Sequence, residues 1–202
     1  MVIPAMVYDV YEQKTITQIL KTQSTLSNAY KMLRSVYGPP EDWQNVSVQH
    51  NHELIVNRFR PFLKIMHDCK VDGNNELCIL NNNYYNFNGA LNHELEDRYD
   101  LVLAAGSSVF FNNKKSYGQA IYIYIDLNGV NPPNRWGYDL FEFELSNDKI
   151  SPTGLGRLND RSILNNCLSY GYHCTALIVL HHNIDYRRCP DDLLMFGRTS
   201  CF

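Results

Sequence analysis

The sequence is short of charge. Lys, Arg, Asp and Glu together make up 19% of the 202 residues, the net charge is -3, and no Lys/Arg run occurs. A surface that neutralises phosphates needs clustered cations, so nucleic acid is excluded as the main partner. The 45% hydrophobic content excludes a disordered chain, which lacks the apolar surface needed to offset the entropy of ordering. No apolar run approaches the roughly 20 residues of a membrane span. The opening Met1-Val2-Ile3-Pro4-Ala5-Met6-Val7 is apolar but short, with neither the basic n-region nor the cleavage site of a signal peptide. It reads as the end of a longer apolar segment, so membrane anchoring is expected only in a longer parent chain.

Catalytic signatures are also missing. There is no G-x-S-x-G elbow, no P-loop and no dinucleotide fingerprint. His93-Glu94-Leu95-Glu96-Asp97 starts like H-E-x-x-H and breaks. His50/His52 and His181/His182 form pairs, but no third ligand is spaced to join either. A non-catalytic protein is expected.

Six cysteines are present, Cys69, Cys78, Cys167, Cys174, Cys189 and Cys201, without a C-x-x-C pair. That spacing disfavours zinc and redox motifs. An even count at close spacing points to disulfides and an oxidising compartment. Among about 15 possible pairings, neighbour with neighbour is the expectation.

After Pro4, Tyr11, Thr15, Ile19, Thr22, Leu26, Ala29, Tyr30, Leu33 and Tyr37 recur at spacings of three and four. They form one stripe of a helix that ends at Gly38-Pro39-Pro40. Gln13, Lys14, Thr17, Lys21, Ser24, Asn28, Lys31 and Ser35 cover the opposite side. Val7 and Val10 lie off the stripe, and Ile16 and Leu20 lie along its other edge. A helix apolar on more than one face calls for more than one partner. Val7, Val10, Tyr11, Ile16, Ile19 and Leu20 are therefore the expected assembly residues. The chain divides into this helix, residues 1–38, and a head, residues 39–202.

Asp72-Gly73-Asn74-Asn75 reads as a turn inside the first cysteine pair, and Asn81-Asn82-Asn83 and Asn86-Phe87-Asn88-Gly89 mark a polar loop. From Asp100 the sequence reads as sheet. Leu101–Phe111, Gln119–Leu127, Asp139–Leu145 and Cys174–Leu180 are the strand candidates. The expected fold is α+β: a long N-terminal helix on an antiparallel sheet, with a disulfide-stapled C-terminal region.

The segment from Asp126 to Asp139 joins two strong strands and is rich in oxygen donors. Asp126, Asn128, Asn134 and Asp139 are candidate calcium ligands, since hard cations take oxygens on a constrained loop. The pattern is not an EF-hand, because the glycine comes early and Pro132-Pro133 forbids a following helix. A rigid connection without any ion is the competing reading, and no cofactor is required. Tyr84-Tyr85-Asn86-Phe87 is a candidate stacking surface for a sugar or a protein, or else packs on the sheet.

Two segments carry a family resemblance. Met1–Val7, running into Thr22-Gln23-Ser24-Thr25-Leu26-Ser27-Asn28-Ala29-Tyr30, is similar to the part of type IV pilin and pseudopilin helices that follows the membrane-inserted start. Ile125-Asp126-Leu127-Asn128-Gly129, then Pro133-Asn134, Trp136-Gly137, Asp139 and Phe141-Glu142-Phe143, followed by Ile150-Ser151-Pro152-Thr153-Gly154, resembles a pattern in the C-terminal halves of such proteins. Cys167 with Gly171-Tyr172-His173-Cys174-Thr175-Ala176-Leu177-Ile178 resembles their terminal disulfide and last strand. The prepilin peptidase signature and most of the membrane span are absent, and residues 40–99 carry no resemblance. The resemblance implies a subunit of a pilus or type II secretion pseudopilus, packed through its helix against other pilin-like subunits. It would be extracytoplasmic, and in the inner membrane before assembly. The alternative is a secreted ligand-binding module or adhesin using the Asn/Tyr loop.

Overall fold

A computed structural model describes residues 5–43, 52–70, 76–78, 83–93, 99–114, 120–145 and 149–201. Helix α1 runs Ala5–Tyr37. At 1.5 Å per residue it is about 50 Å long. Gly38 stops it in the left-handed conformation with φ 72°, where a side chain would be strained, and its amide donates to the Arg34 carbonyl at 3.0 Å. The expected stripe faces inward: Thr15, Ile19, Leu26, Ala29, Tyr30 and Leu33 are buried. All eight polar residues assigned to the opposite side are exposed.

The helix α2 spans His52–Phe59 and is followed by strand β1, Ile65–Asp68. A two-stranded hairpin, β2 (Tyr84–Tyr85) and β3 (Leu91–Asn92), stands apart from the main sheet. Strands β4 (Tyr99–Leu103), β5 (Ser108–Lys114), β6 (Ala120–Asp126), β7 (Leu140–Leu145) and β8 (Ile150–Pro152) complete it. The main sheet has six strands in the order β1-β4-β5-β6-β7-β8, and every pairing is antiparallel. The chain then forms three short helices: α3 (Asp160–Ser169), α4 (Cys174–His181) and α5 (Pro190–Phe196).

Period-two alternation divides the sheet into two faces. Ile121, Ile123 and Ile125 of β6 join Phe141, Phe143 and Leu145 of β7 in the main core, together with α1, α2 and α4. The intervening Tyr124 and Leu140 belong to a second cluster on the far face, with Tyr84, Phe110 and Trp136. Both faces of the central strands are therefore covered, which explains why every residue of β7, Glu142 and Glu144 included, is buried. Glu144 pairs with Arg157 at the sheet edge.

Cys174–Leu180 is a correction. It forms helix α4, not a strand, and the last strand implied by the resemblance is absent from this segment. An apolar run this short does not separate a buried strand from a buried helix by periodicity. Cys174 through Ile178 are all buried, because α4 is wedged between α3 and the sheet. The helices α2, α3 and α5 likewise carry no counterpart in the expected elements. Asp72-Gly73-Asn74-Asn75, Asn81 and Asn82 lie outside the described residues.

All six cysteines pair, neighbour with neighbour: Cys69–Cys78, Cys167–Cys174 and Cys189–Cys201. Three disulfides fit an oxidising, extracytoplasmic compartment. Among the described residues, no helix is long and apolar enough to cross a membrane.

Candidate functional site

The connection between β6 and β7 is built around two carboxylates. Asp126 closes β6, and its Oδ1 accepts from the Asn128 amide at 3.1 Å, forming an Asx turn into the loop. Tyr84 of the hairpin donates its hydroxyl to Asp126 Oδ2 at 3.4 Å. Asp139 ends the loop, with Oδ2 accepting from the Asn134 amide at 2.8 Å and Oδ1 from the Arg135 amide at 2.6 Å. The Leu127 amide donates to the Asp139 carbonyl at 2.9 Å, which ties the two ends together. Asn128 and Asn131 brace the middle: Asn128 Nδ2 donates to the Pro132 carbonyl, and Asn131 Nδ2 to the Asn128 carbonyl.

Asp126 is fully buried and Asp139 is 4% exposed. Burial, and then the charge of Asp139, pushes the Asp126 carboxyl well above the usual range. Burial also raises Asp139, against the pull of the Arg135 and Asn134 amides on its ionised form. Around this pair, the buried oxygens Asn128 Oδ1, Asn134 Oδ1 and Ser108 Oγ have no hydrogen-bond partner among the described residues. Ser108 lies directly across the strand pair from Asp126. The loop thus gathers two desolvated carboxylates and three unsatisfied neutral oxygens, and negative charge there needs either a proton or a cation. The four residues assigned to calcium from the sequence, Asp126, Asn128, Asn134 and Asp139, lie on one connected network. Oxygen donors alone suit a hard cation. Among the described residues, no group of three or more His, Cys, Asp or Glu side chains converges, so a cation here would lean on the amide and hydroxyl oxygens.

The second half of the loop is clamped from outside. Arg135 Nε donates to the Phe87 carbonyl at 3.0 Å, and its guanidinium lies 4.6 Å from the Tyr138 ring. Tyr186 Oη and Arg187 Nε both donate to the Gly137 carbonyl, at 2.6 and 2.8 Å. Gly137 has φ 76°, and a Cβ there would lie 2.7 Å from the Cys174 sulfur. Gly171, with φ 93°, admits Trp136, because a Cβ would meet its Cβ at 2.4 Å and its backbone at 2.7 and 2.9 Å. The glycine of the loop and the second disulfide are thus matched to one another. Ser108, Tyr84, Arg135, Tyr186 and Arg187 give no sequence signal for this role. They come from four distant segments, and only packing joins them.

The aromatic loop is largely committed to packing. Tyr84 is buried, and Phe87 stacks on Tyr138 with centroids 5.4 Å apart. Tyr85, 37% exposed, remains at the surface. His52 is buried on α2, and His50 lies outside the described residues.

The assembly residues divide. Ile16 and Ile19 lie in the chain's own core, and Leu20 packs against it. Val10 is 70% exposed and Tyr11 48%. The Val7 side chain lies outside the described residues. The head meets α1 at Tyr11 and Glu12: Arg187 Nη1 reaches the Tyr11 hydroxyl at 3.4 Å, and Glu12 Oε1 accepts from the Ile184 amide at 2.7 Å.

Comparison with protein-family models, with curated proteins and with solved structures gives no match to this chain. Its long N-terminal helix, packed on an antiparallel sheet, is compatible with a pilin-like fold.

Proposed function

We propose that this chain is a structural, non-catalytic subunit of a pilus-like or pseudopilus filament, assembling with other pilin-like subunits through the first turns of α1. The observation that carries this reading is that the buried stripe of α1 begins at Thr15 and leaves Val10 70% exposed and Tyr11 48% exposed ahead of it. Apolar surface left open by a subunit's own head is what a neighbouring helix buries. The resemblance of residues 1–30 and 125–154 to pilin-like proteins supports the same reading. The three disulfides agree with a place at the cell surface, in the periplasm or in an extracellular filament. In this reading the membrane anchor belongs to a longer parent chain, held in the inner membrane before assembly. The test is cysteine cross-linking in the producing cells. Val10→Cys is expected to give a ladder of dimers and higher oligomers with a bismaleimide. Val10→Asp should abolish assembly while leaving head stability within about 0.5 kcal/mol, as exposed substitutions do. A Val10→Cys chain that stays monomeric on cross-linking defeats the proposal.

Within this reading, a structural calcium ion sits in the β6–β7 connection, held by Asp126, Asn128, Asn134 and Asp139. The orphaned Asn128 and Asn134 oxygens beside two buried carboxylates support it. At calcium about 100 times its dissociation constant, the folded state gains about 2.7 kcal/mol. That is roughly 5–10 °C in melting midpoint for a chain of this size. A midpoint unchanged between calcium and EDTA removes the ion from the account.

A further inference from the structure

A cavity of about 210 Å³ opens between α3, α4 and α5. Its floor is apolar: Leu164 of α3, Leu177 of α4 and Leu193 of α5 are all buried. Among the described residues, the cavity lining carries the cations Arg161 and Arg198 and one carboxylate, Asp160. Arg161 is exposed and makes no ion pair with another described residue.

Two of the neutral polar side chains of the lining are already engaged. The Tyr186 hydroxyl donates to the Gly137 carbonyl at 2.6 Å, and Asn183 Nδ2 donates to the Thr199 carbonyl at 2.9 Å. A neutral polar ligand would therefore lose its hydration with little in return. An apolar body with a single negative charge matches both the floor and the mouth.

The mouth is also held in place. The segment carrying Arg198 is tethered by the Cys189–Cys201 disulfide, and the Cys201 amide donates to Asp185 Oδ2 at 2.8 Å. A site formed before the ligand arrives keeps the ordering cost of binding low. The volume lies below the roughly 300 Å³ at which drug-sized pockets begin.

We propose that this cavity binds a small apolar monocarboxylate, with the hydrocarbon against Leu164, Leu177 and Leu193 and the carboxylate at the mouth facing Arg161 and Arg198. This binding does not depend on filament assembly, which uses a different part of the surface.

The test is a titration of the full chain, disulfides intact, with 3-phenylpropionate, followed by NMR chemical shifts. Saturable binding with a Kd of about 1 mM or tighter is expected, as befits a ligand of this size. The uncharged 3-phenylpropionamide should bind about tenfold more weakly, since a charge-assisted contact is lost. The double variant Arg161→Gln/Arg198→Gln should weaken the acid about tenfold and leave the amide unchanged. Leu194→Trp, placed at the half-buried edge of the cavity, should block both probes while the shifts of β6 and β7 stay in place. Equal affinity for acid and amide, an acid affinity indifferent to the two arginines, or no saturation by about 20 mM acid would each overturn the proposal.

Discussion

Asp126 shows how a residue's role depends on its surroundings. In the sequence it is an oxygen donor at the end of an alternating strand. In the fold it is a carboxylate without solvent, placed near Asp139 and beneath Tyr84. Its carboxyl is held above the ordinary value by burial and by the charge of Asp139, so the fold favours its protonated form. The stability this contributes is complete below the unfolded carboxylate value of about 3.9 and is lost as pH rises through the higher folded value. In EDTA the protein is therefore expected to melt at a lower temperature at pH 7.5 than at mildly acidic pH. Asp126→Asn, uncharged throughout, should melt above the parent at pH 7.5 and narrow that difference. Thermal melts across pH decide it, and a variant that tracks the parent at every pH rules out the desolvated pair. The type and spacing of Asp126, Asn128, Asn134 and Asp139 were legible in the sequence. The unsatisfied Ser108 hydroxyl was not, because it is brought there by strand register from 18 positions away.

At the scale of elements, α1 was the most legible part, since a stripe repeated from Tyr11 to Tyr37 leaves little choice of period. Strands β6 and β7 were legible too, through alternation of β-branched and aromatic side chains. Helix α4 was not: its composition suits a strand, and its position between α3 and the sheet made it a helix. The buried stripe of α1 meets α2, α4 and β8, and Leu26 has no exposed surface. Leu26→Ala should therefore cost about 2–5 kcal/mol through lost burial and the cavity left behind. Denaturant unfolding measures this, and a loss under about 1 kcal/mol would mean that the helix rides loosely on its head. Thr25→Ala, one residue along on the exposed side, should change little.

At the scale of the whole molecule, the disulfides are local clamps, and Cys167–Cys174 sits within the main core. Each closes a short loop, with separations of 9, 7 and 12 residues. Loops of that length contribute roughly 2–3 kcal/mol each by constraining the unfolded chain. Replacing Cys167 and Cys174 together by Ala should cost at least that much, because Cys174 also packs under Gly137 and the carboxylate loop. Loss of under about 1 kcal/mol in chemical unfolding would show that the loop does not lean on this bridge. By itself, the sequence determined the long amphipathic helix and the alternating strands β6 and β7, and made neighbour pairing the expectation for the cysteines. These follow from local periodicity and short chain separation, which act before any distant contact forms. Only the tertiary structure decided that α4 is a helix, that Ile16 and Ile19 serve the chain's own core while Val10 stays open, and that two carboxylates lose their water together. Those outcomes depend on which distant segments come to lie against each residue, and burial is a property of the assembled fold.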